Sequence, residues 1–235
     1  MEFQYHDGDT ACAGYLALPT GDGPHPVVLI AHNWAGQTAQ DNAVADRLAE
    51  AGYAGLALDV YGAGNRGDLH GDNSALMNPW LADRAGLRRR LLAAVEAAAA
   101  HEALDADRIA IIGYCFGGLC ALDVARSADP RVKAAVSFHG IYAPPGLGEQ
   151  SPISAKVLVL HGWDDPMAPP EATVALGHEL NAAGADWQIH AYGQTMHAFT
   201  FAGAANPAGG IQYNADADRR SWASLMAFLP EVLGG

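Results

Sequence analysis

The 235-residue sequence holds only three cysteines, Cys12, Cys115 and Cys120. Three is an odd, sparse set with neither a disulfide framework nor a metal-ligand spacing, so no metal site and no cofactor are expected. Cys115 and Cys120 sit too close along one predicted turn and helix to bridge, which points to a reducing compartment, the cytoplasm. Positive charge is scarce as well: 13 Lys and Arg face 26 Asp and Glu, a formal net charge of −13. That balance argues against nucleic acid and against anionic membrane surfaces as partners. No uninterrupted apolar run approaches the ~18 residues needed to span a bilayer. The opening MEFQYHDGDT lacks a basic start and an apolar stretch, so no secretory signal is expected. Repeats, low-complexity tracts and linkers are also missing. With 50% hydrophobic residues, the chain is expected to fold as one α/β domain over residues 1–235. Nothing in it indicates an oligomeric state.

What the sequence does have is an alternation of apolar runs and helical patterns. Phe3–Tyr5 and Ala11–Leu18 read as an antiparallel start turned by Asp7-Gly8-Asp9. Val27–Ala31 is a continuous apolar run typical of a central parallel strand. A helix is predicted at about 39–51, stopped by Gly52, and a strand from Tyr53 to Val60. Residues 61–80 read as a Gly/Asn/Asp-rich connection. A long helix is predicted at about 81–103, with Leu87, Leu91, Leu92 and Val95 inward and Arg88, Arg89 and Arg90 on a solvated outer face. Strands at 109–114, 132–138, 156–160 and 186–192 then alternate with helices at 116–127, 170–183 and 219–231. The order predicts a doubly wound, mostly parallel sheet flanked by helices on both faces. The interval from His139 to Lys156 leaves no room for an inserted lid domain, and 202–218 is the longest candidate cover.

One segment points to chemistry. The run Ile109–Tyr114 ends in Gly113-Tyr114-Cys115-Phe116-Gly117 and passes at once into a helical pattern. This is the layout of the nucleophile elbow of an α/β-hydrolase fold, with cysteine in the place of serine. The thiol would stand over the positive end of the following helix, which favours thiolate and supplies backbone N–H groups to a developing oxyanion. The plainer alternative is a buried cysteine in a strand-to-helix turn.

A thiol nucleophile needs a base and an orienting acid, and in this fold they follow it in the order acid, then histidine. Past the strand ending at Leu160 comes His161-Gly162-Trp163-Asp164-Asp165-Pro166. Asp165 is preferred to Asp164 from its spacing to His161-Gly162 and Pro166; either could instead cap a turn. Of ten histidines, His197 is the candidate base, because it directly follows the strand ending near Tyr192. His161 reads as structural, His178 as solvent-facing, His190 as packed or at an edge. His139 ends a strand at the same edge and either lines the pocket or packs; His32 could be either. The oxyanion donors would be the N–H of Phe116 and that of Trp34, with Asn33 as the alternative to Trp34. Asn33, Trp34, His139 and Phe201 are the candidate substrate-binding residues.

Taken together, the loop HNWAGQ, the strand end Leu58-Asp59-Val60-Tyr61-Gly62, the GYCFGG elbow, the HGWDD acid loop and the MHAF segment resemble the dienelactone hydrolase family of α/β-hydrolases. The resemblance implies a cytoplasmic, cofactor-free enzyme that opens lactones or small esters with a Cys–His–Asp triad, here Cys115, His197 and Asp165. Two departures stand out. Family members commonly carry Glu in the first loop, where this chain has Asn33. Those acting on dienelactone hold its carboxylate with arginine, one of them four residues past the histidine, where this chain has Phe201. Arg66 and Arg84 are the possible substitutes. The expected substrate is therefore a small-molecule ester or lactone other than dienelactone. The competing readings are a redox- or electrophile-reactive thiol protein without turnover, and a binding protein on a retired hydrolase fold.

Overall fold

A computed structural model describes residues 1–234. Eight strands form one sheet in the order β1-β2-β4-β3-β5-β6-β7-β8. The hairpin β1 (Glu2–Asp7) and β2 (Thr10–Ala17) is antiparallel, and β2 pairs antiparallel with β4 (Ala54–Ala57). From there β3 (His25–Ala31), β5 (Leu104–Tyr114), β6 (Val132–Phe138), β7 (Lys156–Gly162) and β8 (Trp187–Tyr192) run parallel. The apolar runs are continuous because both faces of these strands are covered. Val27 and Leu29 of β3 enter one core with helices α3 (Arg84–Ala99), α4 (Phe116–Arg126) and α5 (Pro170–Ala182). Val28 and Ile30 enter the other, with α1 (Ala39–Glu50) and α6 (Ala215–Leu233). This is the α/β-hydrolase architecture; β6 passes to β7 through a loop, with no inserted lid domain.

Three expectations are corrected. The connection at 61–80 contains a helix, α2 (Ser74–Ala82), whose Leu76, Met77 and Trp80 pack on the first core. It has no fully buried residue and carries Pro79 within it, so its sequence shows little helical periodicity. The long helix consequently starts at Arg84, where Asp83 caps it by accepting from Gly86 N. Finally, the arginine triplet is not wholly a solvated face: Arg89 is exposed and Arg88 half-buried, but Arg90 is not. Arg90 is buried, donates to Asp7 and to the Val60 carbonyl, and lies over the Trp80 ring. Arg89 donates to the same carboxylate. Burial alone would raise Asp7, but the two guanidiniums hold it below the usual carboxylate range.

Parallel strands bring their C-terminal ends to one edge, and the loops that leave them carry all the candidate chemistry.

Candidate active site

The elbow between β5 and α4 is as tight as its glycines allow. A Cβ on Gly113 would collide with the Gly117 backbone, and one on Gly117 with the Ala31 carbonyl. Cys115 itself takes φ 58° and ψ −115°, a conformation that costs a non-glycine residue energy and that the packed turn imposes. Its N–H donates to the Phe138 carbonyl at 3.1 Å. Phe116 opens α4 with a buried ring stacked on Tyr61.

The loop after β3 faces this turn. Val60 N–H donates to His32 Nε2, which leaves Nδ1 as the protonated nitrogen donating to the Asn33 carbonyl at 2.6 Å. Burial pushes this imidazole down to about 4, so it is a neutral structural strut. The Asn33 side chain accepts from Ala35 N–H at 2.8 Å, and Tyr61 Oη donates to the Trp34 carbonyl at 3.1 Å. Among the described residues, neither Phe116 N–H nor Trp34 N–H donates to any acceptor in the chain.

The acid and histidine candidates meet directly. Asp165 Oδ2 lies 2.8 Å from His197 Nδ1, and the two residues are 1% and 2% exposed. The other oxygen, Oδ1, accepts from Met167 N–H at 2.8 Å. Asp164 is exposed and contributes only its N–H, to the Thr195 carbonyl. His197 Nε2 is buried without a hydrogen-bond partner of ordinary geometry among the described residues. Burial alone would lower this imidazole; the Cys115 thiol and Asp165 outweigh it and push it up to about 10. Cys115, Asp165 and His197 are thus gathered at one edge of the sheet.

A cleft of about 770 Å³ opens over Cys115 and His197. Asn33, Trp34, His139 and Phe201 all line it, together with Met77, Ile141 and Met167. Arg66 and Arg84 do not. Arg66 is bound to Asp59 and the Ala13 carbonyl, and Arg84 makes a two-pronged pair with Asp123. The arginine that does line the cleft, at the end between α1 and α6, is Arg47, which lies 3.7 Å above the Trp222 ring. Sequence reasoning missed Arg47, as it did Tyr114, Thr200 and Trp222, which also line the cleft. Tyr114 and Thr200 carried the signal of adjacency to Cys115 and His197; Arg47 and Trp222 carried none. Of the other histidines, His70 also lines the cleft, its ring 6.0 Å from that of Phe201, whereas His161 is wedged between Tyr142 and Thr173, His178 is exposed, and His190 of the edge strand bonds Ser224 of α6. A second groove, between Arg88, Arg89 and Arg131, contains none of the gathered groups.

The profile of the dienelactone hydrolase family matches residues 12–233. The chain belongs to the dienelactone hydrolase family. It is similar to a dienelactone hydrolase-like promiscuous phosphotriesterase from metagenomic libraries, with 34% identity and a TM-score of 0.93, covering 100% of this chain and 98% of that one. A protein of Yersinia pestis provisionally named carboxymethylenebutenolidase is 30% identical over 197 residues, 79% of this chain and 73% of that protein. An uncharacterized protein of Caenorhabditis elegans is 34% identical over 153 residues, 64% of this chain and 97% of the relative. This dienelactone hydrolase family member is accordingly a hydrolase. No helix among the described residues is long and apolar enough to cross a membrane, and none of their His, Cys, Asp and Glu form a group of three placed to hold a metal.

Proposed function

We propose that the protein hydrolyses lactones or small carboxylic esters through a thioester on Cys115. The observation that carries this reading is the array itself: a thiol at a strained elbow, an imidazole raised to about 10 by that thiol and by Asp165, and N–H groups on Phe116 and Trp34 that no group among the described residues accepts. In the first half-reaction the sulfur of the Cys115–His197 pair attacks the carbonyl carbon. The developing oxyanion takes the N–H groups of Phe116 and Trp34, the tetrahedral species collapses, and His197 Nε2–H delivers its proton to the departing alkoxide. A lactone keeps that alcohol tethered, so the ring opens. In the second, neutral His197 takes a proton from water, which attacks the thioester and releases the acid and the Cys115 sulfur. Asp165 holds Nδ1–H throughout and so fixes the tautomer.

The cleft favours neutral, apolar acyl groups. Phe201 stands where a carboxylate-binding arginine would be, and Arg66 and Arg84 are engaged elsewhere. Similarity over the whole chain to a promiscuous phosphotriesterase makes a neutral phosphotriester a reasonable second probe, since its phosphoryl oxygen would use the same two N–H groups. The deciding test is turnover of a chromogenic short-chain ester by wild type and Cys115→Ala, with mass spectrometry of the quenched enzyme. Wild type should show an acyl adduct on Cys115 and the variant no turnover. Wild-type rates from Cys115→Ala would refute the reading, and a thiol that alkylates without ester turnover would favour the reactive-thiol alternative.

A further inference from the structure

The histidine of the array is the member least held by regular structure. Cys115 sits between β5 and α4, and Asp165 follows β7 directly. His197 lies five residues past β8, in a stretch where Gln194 and Ala198 both take positive φ, 54° and 55°. Its backbone is tied to Gly210 and Gln212, themselves part of the long loop before α6. Something in the rigid sheet has to register this loop against the thiol.

His139 is placed to do so. It follows β6, the strand lying between β5 and β7 in the sheet. Its N–H donates to the Leu160 carbonyl of β7, while its neighbour Phe138 accepts from Cys115 N–H. The position is therefore fixed to the nucleophile's strand on one side and to the acid's strand on the other. At φ 37° the chain turns here, in a region that histidine tolerates better than bulkier or branched residues. The ring is 2% exposed and packs edge-to-face on His197, with centroids 5.1 Å apart, and on Phe199, also at 5.1 Å. Its Nε2 pairs with Thr200 Oγ1 at 2.8 Å, while Nδ1 has no partner among the described residues. The ring thus touches His197, Phe199 and Thr200 of the histidine loop and, with centroids 6.0 Å apart, Tyr114 beside the nucleophile.

We propose that His139, through its bond to Thr200 and its edge-to-face contact with His197, is a positioning residue that registers the histidine loop against Cys115 and Asp165. The inference rests on the reading of His197 as the base. Burial, and next the His197 charge, push the His139 imidazole well below its ordinary value. It therefore stays neutral beside the His197 imidazolium and does not compete for the proton.

The test compares wild type with Thr200→Val, Thr200→Ser, His139→Asn and the double variant Thr200→Val/His139→Asn. Asparagine is chosen because it tolerates the left-handed backbone; Thr200→Val carries the test if His139→Asn does not fold. On a neutral short-chain ester, Thr200→Val should lower kcat about 10-fold, the effect of one lost positioning bond, with KM within about 3-fold. Thr200→Ser should restore kcat, and the double variant should be no worse than His139→Asn. Independently of turnover, the His197 Nδ1–H proton resonance should be a single downfield line in wild type and Thr200→Ser, and broadened or shifted in Thr200→Val. Unchanged kcat and an unchanged resonance in Thr200→Val would overturn the proposal. So would a change in KM alone, which would make His139 a substrate contact. Cys115→Ala and His197→Asn measured alongside separate the two ideas: full activity in either sinks the triad, whereas dependence on both with indifference to Thr200 sinks only the positioning role.

Discussion

Asp165 divides its two oxygens: Oδ2 takes His197 Nδ1 at 2.8 Å, and Oδ1 takes the Met167 N–H at 2.8 Å. The second bond prevents the carboxylate from rotating away from the imidazole. Asp165→Asn keeps the size but replaces one acceptor with a donor, which either repels Nδ1–H or flips the tautomer. Ester kcat should fall on the order of 10³-fold. Asp164→Asn, on an exposed side chain, should stay within about 2-fold of wild type. Steady-state kinetics on the two variants decides this, and a reversal of the two effects would remove Asp165 from the proposed role.

The His197 imidazole, raised to about 10, gives a pH prediction with a definite sign. Its folded value lies above the ~6.5 of an unfolded histidine, so its contribution to stability is fully present below about 6.5 and is lost as pH climbs through about 10. Burial works the other way, and Cys115 is the largest of the influences that outweigh it. In Cys115→Ala the His197 titration should therefore move down toward neutrality. Nitrogen-15 NMR of the imidazole from pH 5 to 11 measures it directly; an unmoved titration would mean that the thiol does not act on Nε2.

Much of this arrangement is legible in the sequence, and the reasons are physical. The elbow was legible because a buried strand that ends in Gly113-Tyr114-Cys115-Phe116-Gly117 has few ways to turn into a helix. Parallel order then sent Asp165 and His197 to the same edge. Arg90 was misjudged because three successive helical residues cover about 200° of the helix surface, which sets the ends of the triplet close to the buried stripe. The end that turns inward is Arg90, three after Leu87 and four before Ala94, both buried. The His139–Thr200 and Arg47–Trp222 contacts join residues far apart in the chain, and no local periodicity announces such pairs.

Phe201 and the engaged Arg66 and Arg84 predict a preference for neutral substrates. A carboxylate buried beside Phe201 and Trp34 loses water without gaining a partner, a cost of several kcal/mol. For a matched neutral ester and its carboxylate analogue, kcat/KM should favour the neutral one by about 100-fold. Arg47 is the cation that could reverse this, from the far end of the cleft. If the anionic ester were faster in wild type and slower in Arg47→Ala, the apolar assignment would be wrong and Arg47 would be its binding group.

Asn33 occupies the place of the family's glutamate, yet its side chain is already committed, accepting the Ala35 N–H at 2.8 Å. That bond closes the turn that carries Trp34, the second oxyanion donor in the proposed mechanism. Asn33→Ala should open the turn and lower kcat about 10-fold while leaving iodoacetamide alkylation of Cys115 near the wild-type rate, because it changes a donor to the oxyanion and adds no charge. Asn33→Asp keeps an acceptor for Ala35 and so keeps the turn, but it puts a negative charge on the cleft wall. Like-charge repulsion with the thiolate should then slow alkylation at neutral pH. Rates are read against Cys115→Ala, which blanks Cys12 and Cys120, both buried. Faster alkylation in Asn33→Asp would mean that Asn33 does not face the thiol, and the first loop would lose its place in the oxyanion assignment.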